Sequence, residues 1–395
     1  MKKLLILGAG FLQAFVIRKA VEMGYYVIAI DKNPESVGFK DAHEYAVVDI
    51  VDIEACYDYA RRKAIDGVMT CATDYGVLAA SYIASKLDLN GINFQTAQMI
   101  KNKYLVRKCL HENKVDGISQ YYEVDGRTDF DNICSTIKYP VMAKPIDGSG
   151  SKSANCVRTC DKLKEACYDA ISSSVVGGAL IEDFIDGHEY GVESFVIDGQ
   201  VVLMAVMEKF MTQAPYFAEL GHSLGRQLSI ENDIKERVKK AIKVLGIDFG
   251  SVNMDVLVSE TGDVSIVDIG ARMGGNLIGS HIVPIGTGHK YLELLIKSTL
   301  NEPVDLDLYE TKAIATRLLA LKPGIVTNLP DFGAIEKEYG VSIHHHLKIG
   351  DKISEYKTNL DGCGYVVAVG ENIDELNKKA ELVKRLIDET IERLE

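Results

Sequence analysis

The apolar positions near the start of the chain fall into short runs that alternate with a helical pattern. Three of these runs predict buried strands: Leu4–Gly8, Val27–Asp31 and Gly67–Cys71. Between the first two, apolar residues recur at helical spacing from Ala14 to Val21. Strands that alternate with helices are typical of a parallel sheet with right-handed crossovers. Residues 1–98 are therefore predicted to form a Rossmann-like α/β domain.

From about residue 99 the pattern changes to strands separated by glycine-rich turns. Four segments have strand character: Val141–Pro145, Ala179–Ile185, Gly191–Ile197 and Val201–Met207. Helical periodicity is present at 161–173 and 232–245. This mixture predicts an α+β domain over residues 99–304.

Residues 305–395 have the pattern of a smaller α+β domain. Strands are predicted near 313–321 and 364–369, and an amphipathic helix is predicted from Asp374 to the end of the sequence. A chain of 395 residues is long enough for three domains. Because no internal repeat or low-complexity linker separates them, we expect the domains to pack tightly.

The charge and hydropathy of the chain narrow the classes of function. Asp and Glu number 57 against 44 Lys and Arg, which gives a net charge of −13. The chain therefore lacks the basic field that non-specific nucleic-acid binding requires. Its apolar runs are also shorter than the roughly 18 residues of a membrane-spanning helix. We expect neither a nucleic-acid nor a membrane partner.

The cysteines and the first residues favour a cytoplasmic location. The eight cysteines include no Cys-x-x-Cys pair, which is typical of buried or idle thiols in a reducing compartment. The start Met1–Lys3 and the apolar run after it have features of a signal peptide, but Gly8 and Gly10 interrupt the run. Neighbouring side chains of a strand point to opposite faces, so His344–His346 are not expected to share a metal ion.

The first strand–helix turn carries part of a dinucleotide-binding pattern. Gly8 and Gly10 lie between a predicted strand and a helix, and Asp31 ends the next strand at the spacing of a ribose-binding acid. Gln13 stands where that pattern requires a third glycine. An NAD-dependent oxidoreductase is therefore one alternative, and a Rossmann-like domain without a bound nucleotide is the other.

Lysines and small residues in the central domain indicate phosphate binding. Lys103 opens a helix after Asn102, and Lys144 lies near the end of a predicted strand. That strand leads into a loop composed of Gly148, Ser149, Gly150, Ser151 and Lys152. Small residues let backbone amides surround phosphate oxygens, and lysines supply positive charge. The loop lacks the P-loop pattern, and a mobile surface loop is the alternative interpretation.

Acidic residues follow on the next predicted strands. Glu182 and Asp183 lie near the end of one strand, and Glu189 and Glu193 follow the turn at Gly187. A glutamate beside a turn is a natural partner for ribose hydroxyl groups. Solvated charges at the edge of a sheet would give the same pattern.

Two strand-like segments separated by a turn predict a hairpin that opposes two aspartates. If the turn is centred on Thr261-Gly262, Asp255 lies directly opposite Asp268. Like charges at that spacing repel each other unless a cation bridges them, and oxygen ligands beside phosphate suit Mg²⁺. Arg272 follows four residues after Asp268. The alternative is a pair of exposed aspartates on a solvated face.

Together these residues resemble the ATP-grasp superfamily, which includes biotin carboxylase, carbamoyl-phosphate synthetase, D-alanine–D-alanine ligase and the L-amino acid ligases. The most specific stretch is Val267–Gly275, where the family usually has Glu-x-Asn-x-Arg. The resemblance spans nearly the whole chain. It implies a Rossmann-like pre-domain, a two-part ATP-grasp domain and a small C-terminal α+β domain.

The resemblance also implies which residues bind ATP. Lys103 and Lys144 would contact the phosphates and the adenine region, and the loop 148–153 would close over the β- and γ-phosphates. The hinge strand that holds adenine would consist of Glu182, Asp183, Phe184 and Ile185. Glu189 would bind the ribose.

The resemblance assigns the chemistry to the hairpin and the residues after it. Asp255 and Asp268 would hold Mg²⁺, with Mn²⁺ as an alternative ion, and the catalytic residues would be Arg272 and Lys152. Asp268 replaces the usual glutamate, and Gly270 replaces the asparagine that completes a second metal site. Either a second ion is held loosely or another oxygen, such as that of Asn253, contributes. A non-catalytic ATP-binding module is therefore an alternative.

The activity that the resemblance implies is ATP-dependent ligation through an acyl phosphate, with release of ADP and phosphate. The substrates would be a small, amino-acid-like carboxylic acid and an amine or thiol; carboxylation or carbamoyl-type transfer through carboxyphosphate is the alternative. Glu219 and His222, on a predicted loop, resemble the first amino-acid site of the L-amino acid ligases. Asp74, at the carboxyl end of the parallel sheet, is a further candidate by analogy. A homodimer is expected.

Overall fold

The computed structural model describes residues 1–148, 150–214 and 216–394. In this part of the chain, strands are organised into four sheets, and helices cover or connect them. None of the helices described is long and apolar enough to cross a bilayer.

The N-terminal region is built on a parallel sheet. Its strands are β1 (Lys3–Leu7), β2 (Tyr26–Asp31), β3 (Glu44–Val47) and β4 (Gly67–Thr70), in the order β3-β2-β1-β4. Its helices are α1 (Gln13–Glu22), α2 (Ile53–Lys63), α3 (Val77–Leu87) and α4 (Phe94–Lys101), with a 3₁₀ turn at Val37–Asp41. The parallel sheet predicted from the strand–helix alternation is confirmed.

A small antiparallel sheet comes next in the chain. Its strands are β5 (Tyr121–Asp125), β6 (Val141–Pro145), β7 (Asn155–Val157) and β8 (Gly178–Asp183), in the order β5-β8-β6-β7. The helices of this region are α5 (Lys103–Glu112), α6 (Phe130–Thr136) and α7 (Cys160–Ser173). Helix α5 begins at Lys103 because the Asn102 side chain caps it by accepting a hydrogen bond from the Leu105 amide.

The following strands belong to a large antiparallel sheet. They are β9 (Gly187–Ile197), β10 (Gln200–Met211), β11 (Glu219–Leu224), β12 (Gly250–Ser259) and β13 (Val264–Gly270). Helix α8 (Glu231–Val244) lies between β11 and β12 in the chain. After β13 come a π-helical turn at Ile278–Ile282 and the helices α9 (Val283–Thr287) and α10 (Tyr291–Thr299).

The C-terminal region adds strands to the large sheet and forms a sheet of its own. Its strands are β14 (Ala313–Leu318), β15 (Gly324–Asn328), β16 (Ser342–His345), β17 (Lys352–Ile353), β18 (Gly364–Gly370) and β19 (Glu392–Leu394). Its helices are α11 (Phe332–Tyr339) and α12 (Ile373–Thr390), with a 3₁₀ turn at Asn359–Asp361. The large sheet has the order β13-β12-β9-β10-β11-β14-β18-β16, and β17-β15-β19 form the separate sheet. Pairing of β11 with β14 therefore continues the large sheet from the central into the C-terminal region.

Two predicted elements differ from the structure. Glu219 and His222 lie on strand β11, not on a loop. Gly221 makes this possible, because a Cβ atom at that position would lie 2.1 Å from the Thr316 carbonyl oxygen of the neighbouring strand. The C-terminal helix ends at Thr390, and the residues after it pair with β15 as strand β19.

The N-terminal sheet and the large sheet share one hydrophobic core, and helix α10 contacts both sheets. One continuous core contains Leu4 of β1, Ile17 of α1, Leu203 of β10 and Tyr291 of α10, all of them buried. A backbone bridge also joins Cys71, just after β4, to the segment that follows β13. This packing brings the carboxyl ends of the parallel strands beside the hairpin β12–β13, where the candidate site lies.

Candidate functional site

Two cavities meet at the hairpin β12–β13. The larger cavity, about 520 Å³, lies between the small sheet and strands β9, β10, β12 and β13 of the large sheet. The smaller cavity, about 210 Å³, is lined by the N-terminal region, by the large sheet and by the C-terminal region. Within the described part of the chain, both cavities are lined by six residues: Lys103, Gly148, Gly150, Asp255, Asp268 and Asn359. Two ligands, one in each cavity, would therefore come into contact beside these residues.

The two aspartates of the hairpin face each other at this shared wall. Asp255 pairs directly with Asp268 as predicted, although the pairs nearer the turn, such as Val256 with Ile266, are offset by one residue from the predicted register. Between Asp255 and Val256 the pairing shifts by one residue, so Val267 forms a bulge that the prediction did not contain. Burial raises the pKa of Asp268, but the Lys103 and Lys144 ammonium groups outweigh it, and the net shift is downward. Asp268 is thus held as a carboxylate beside Lys103.

Lys209 of strand β10 is a buried cation that the sequence analysis did not single out. Its ammonium lies 2.6 Å from Glu189, 2.7 Å from Asp255 and 3.9 Å from Glu219. Burial raises the pKa of Glu189 in spite of this ammonium. The sequence signal was the charged pair Glu208-Lys209 near the end of a largely apolar strand. Lys209 offsets the charge of three carboxylates that the large sheet brings together.

The predicted hinge residues line the larger cavity, and the two acidic ones also form ion pairs or hydrogen bonds with neighbouring segments. Glu182 is buried and lies 2.7 Å from Arg107 and 2.5 Å from Lys144. Lys144 also donates to the carbonyl of the bulged residue Val267 at 2.7 Å. The Asp183 carboxylate accepts hydrogen bonds from the Ser119 and Gln120 amides, so its side chain joins the end of β8 to the segment before β5. The predicted hinge residues that line the larger cavity are Glu182, Asp183, Phe184 and Ile185.

The glycine-rich loop borders both cavities. Gly150, Ser151 and Ser153 have positive φ angles of 68°, 60° and 55°. Gly148 borders both cavities, and a Cβ atom there would lie 2.8 Å from the Pro145 side chain. Lys152 is exposed and lines the larger cavity. Ser149, also predicted to belong to this site, lies outside the described residues.

Arg272 lies in the smaller cavity and is paired with Asp74 from the N-terminal region. Its Nη2 atom lies 2.9 Å from the Asp74 carboxylate, while Nε and Nη1 are buried and have no hydrogen-bond partner among the described residues. Burial lowers the pKa of Arg272, but Asp74, Glu193 and Asp268 raise it more. A buried guanidinium with two free nitrogens can still donate to an anionic ligand.

Glu219 and His222 also line the smaller cavity, where they belong to a buried polar network. Asn276 donates to Glu219 at 2.5 Å, and Tyr365 donates to Asn276 at 2.8 Å. His222 Nδ1 lies 3.1 Å from Glu219 without hydrogen-bonding alignment. Burial raises the pKa of Glu219, but His222 and Lys209 bring it down to about 2. Asn276 and Tyr365 were not predicted as site residues.

Glu193 lies beneath the smaller cavity and accepts hydrogen bonds from three sides. The donors are the Tyr291 hydroxyl at 2.6 Å, the Asn253 amide at 3.0 Å and the Gly274 backbone amide at 3.1 Å. These bonds lower the pKa of the carboxyl, but burial outweighs them and raises it to about 7. Its charge therefore depends on pH in the neutral range.

We expect Glu193→Gln to remove part of the pH dependence of stability. Folding raises the pKa of this carboxyl from 4.5 to about 7. The protonated carboxyl therefore contributes to the stability of the folded state, and this contribution is complete below pH 4.5. This contribution is lost as the pH rises to 7, and it amounts to about 3 kcal/mol. Urea unfolding at pH 5 and pH 8 should show a smaller loss of stability in the variant than in the wild type. Glu123→Gln, at an exposed position on β5, is the control, and equal losses in all three proteins would contradict the prediction.

The N-terminal glycine turn is filled by the protein's own side chains. Gln13 donates to the Cys71 carbonyl at 2.7 Å, and its amide oxygen lies 2.9 Å from a Cβ atom placed on Gly10. The Asp31 carboxylate accepts a hydrogen bond from the Ala9 amide at 2.8 Å. Gln13 thus fills the space beside the glycines, and Asp31, the candidate ribose-binding acid, is engaged within the turn, which does not favour the NAD alternative.

The histidine run follows the alternation expected of a strand. His344 packs against His281, with ring centres 4.8 Å apart, whereas His345 stacks on Phe332 at 4.0 Å. Across residues 1–148, 150–214 and 216–394, no group of three or more His, Cys, Asp or Glu side chains is arranged to hold a metal ion. A divalent ion between Asp255 and Asp268 would thus need further oxygen ligands from elsewhere.

The larger cavity lies between a small and a large antiparallel sheet, and both sheets follow a Rossmann-like domain in the chain. This arrangement is the ATP-grasp architecture. Comparison with protein families agrees. Residues 137–280 match the model of an ATP-grasp domain, and residues 317–392 match that of the L-amino acid ligase C-terminal domain 2. The chain therefore contains an ATP-grasp domain followed by a C-terminal domain of the L-amino acid ligase type.

Individual relatives agree with this assignment. The formate-dependent phosphoribosylglycinamide formyltransferase of Burkholderia vietnamiensis is 26% identical over 227 residues, which are 56% of this chain and 54% of that protein. The aligned region thus spans about half the length of this curated relative. The structure of an L-amino acid ligase from Bacillus licheniformis has a TM-score of 0.84 at 21% identity, covering 100% of this chain and 98% of that one. Phosphoribosylglycinamide synthetase from Anaerococcus prevotii gives 0.77 at 23% identity, with 100% and 99% coverage.

Proposed function

We propose that the protein is an ATP-dependent ligase that activates a small carboxylic acid as an acyl phosphate and joins it to an amine or thiol. The observation that carries this proposal is the wall shared by two cavities, where Lys103, Asp255 and Asp268 line both. ATP would occupy the larger cavity, and the acid would occupy the smaller one. The γ-phosphate and the carboxylate would then meet at the shared wall.

The residues of the shared wall fit a divalent cation. Asp255 and Asp268 present carboxylates directly across a strand pair. Each contacts a lysine ammonium through its Oδ1 atom, from Lys209 and Lys103 respectively, and has a second oxygen that a cation could use. Mg²⁺, or Mn²⁺ on the same oxygens, would be held by these two carboxylates, with the remaining ligands from phosphate and water. When bound, the ion would neutralise phosphate charge that otherwise opposes attack by a carboxylate.

The nucleotide would be held by residues around the larger cavity. Lys103, Lys144 and Lys152 would place positive charge near the phosphates, and the loop around Gly148 and Gly150 would offer backbone amides. Segment 182–185 would contact adenine, and Glu189 would accept from the ribose hydroxyl groups. Support for these roles comes from the lining of the larger cavity.

In the reaction, a carboxylate oxygen of the acid attacks the γ-phosphorus and ADP leaves with the electrons of the broken P–O bond. Arg272 would hold the acid and then stabilise the acyl phosphate through its free nitrogens. The amine or thiol attacks the acyl carbon, loses a proton, and phosphate leaves. Glu219, His222 and Asp74, on the walls of the smaller cavity, would form the surroundings of the acid.

The proposal is tested by measuring ADP and phosphate release from Mg·ATP with a panel of small carboxylic acids, with and without amines and thiols. Carboxylate-dependent ADP formation is the expected result, and the responding acid names the substrate. Nucleotide binding without turnover on any acid would support a non-catalytic module instead. NAD binding without ATP binding, measured in parallel, would refute the ligase assignment.

A further inference from the structure

The space beside Gly270 is filled by an ion pair that joins two regions of the protein. A Cβ atom on Gly270 would lie 2.9 Å from Arg272 Cζ, 3.0 Å from Asp74 Oδ1 and 3.1 Å from Arg272 Nη1. Contacts under 3.0 Å require one of the groups to move. A side chain at this position would therefore require the guanidinium or the Asp74 carboxylate, each the far end of a flexible side chain, to shift.

We propose that Asp74 is a positioning residue for Arg272. The absence of a side chain at Gly270 leaves the space in which the two groups form their ion pair. Asp74 lies on the segment after β4, which the backbone bridge between Cys71 and Met273 holds beside the end of β13. It binds Nη2 at 2.9 Å and leaves Nε and Nη1 for a ligand. The inference rests on the proposed function, since that function gives Arg272 a phosphoryl-bearing ligand.

The charge distribution explains why Arg272 needs this partner. The carboxylates of Glu193 and Asp268 also act on the guanidinium, and Asp268 belongs to the proposed cation site. Without Asp74, Glu193 and Asp268 would remain as the carboxylates that attract Arg272. Asp74 thus keeps the guanidinium in the smaller cavity and separate from the aspartate pair at the shared wall.

A double-mutant cycle tests the proposal with inorganic phosphate as the probe, by calorimetric titration with and without Mg·ADP. Asp74→Asn removes the partner and Gly270→Ala fills the space of the ion pair, so each should weaken phosphate binding about tenfold. Because both act by releasing Arg272, the double variant should lose about tenfold as well, not a hundredfold. ADP affinity should stay within about twofold in every variant.

The N-terminal region provides a matched control. Arg18 and Asp41 form an ion pair of the same 2.9 Å length, and Asp41 is as buried as Asp74, with 18% and 17% of the side chain exposed. Asp41→Asn should leave phosphate and ADP binding unchanged, since Asp41 lines neither cavity. Thermal unfolding of each variant shows whether it is folded.

The outcomes separate this proposal from the proposed function. Additive losses, or unchanged phosphate binding in Asp74→Asn, would overturn the positioning role while leaving the ligase assignment intact. Equal losses of ADP and phosphate affinity would also overturn it, because they indicate general damage to the site. Absence of ADP binding in the wild type would instead refute the proposed function, and the phosphate titration without nucleotide would still test Asp74.

Discussion

Asp268→Asn should reduce acid-dependent ADP release at least about 100-fold. The substitution keeps the shape of the side chain and removes the charge that the proposed cation site requires. We expect the variant to remain folded, which thermal unfolding checks, although it removes the ion-pair partner of Lys103. ADP release is measured with the acid that the panel identifies, and Mn²⁺ binding in the presence of ADP is followed by electron paramagnetic resonance.

The hairpin itself supplies the control for this variant. Asp263 lies at the exposed turn between β12 and β13, where its carboxylate accepts from Thr261 at 2.6 Å. Asp263→Asn should retain turnover and Mn²⁺ affinity within about twofold. Wild-type turnover or unchanged Mn²⁺ binding in Asp268→Asn would exclude Asp268 as a metal ligand.

Local sequence predicted the aspartate pair but not the register of the whole hairpin. The pairs next to the turn are offset by one residue from the predicted register, and continued without interruption they would place Asp255 opposite Val267. The bulge at Val267, which was not predictable from the turn, brings Asp268 opposite Asp255. The Val267 carbonyl accepts from Lys144 of the small sheet, so the bulge belongs to a contact between distant segments.

The strand that carries Glu219 shows a second limit. Glycine and polar residues around Gly221 favour a loop by composition, and only the pairing of β11 with β14 makes this segment a strand. That partner is distant in the sequence: the His222 amide donates to the Thr316 hydroxyl, 94 residues away. The extra strand at the C-terminus has the same origin, since β19 pairs with β15 across α12.

Most of the charged residues of the site were predicted from the sequence, but the ion pairs between them were not. Arg272 and Asp74 were both candidates, but their pairing depends on how the N-terminal sheet packs on the hairpin. Lys209 was missed because its importance arises from strand order: β9 and β11 flank β10, and β12 lies beyond β9. A lysine near the end of a largely apolar strand indicates a buried partner, but the local sequence does not show which carboxylates provide it.

The second large effect is expected for Lys209→Met, which should lower the free energy of unfolding at pH 8 by about 3–5 kcal/mol. Methionine fills a similar volume but removes the ammonium that lies between Glu189, Asp255 and Glu219. The carboxylates are then buried without a counter-charge, and breaking such a network costs far more than losing a surface pair.

The sign of the pH dependence distinguishes this cause from a packing defect. Without Lys209, the folded-state pKa values of Glu189 and Glu219 should rise above the unfolded value of about 4.3. Groups with raised pKa values favour folding at low pH and lose that contribution as the pH rises through the folded-state values. The deficit of the variant should therefore shrink between pH 8 and pH 5 in urea unfolding.

Lys235→Met provides the surface reference for this measurement. Lys235 lies 2.6 Å from Glu231 on helix α8, and both side chains are about one-third exposed, at 32% and 31%. Its removal should cost no more than about 1 kcal/mol at either pH. A pH-independent deficit in Lys209→Met would point to lost packing, and a deficit no larger than that of Lys235→Met would show that the three carboxylates do not depend on Lys209. A deficit that shrinks at low pH would instead identify Lys209 as the charge that keeps three acidic side chains together at the wall between the two cavities.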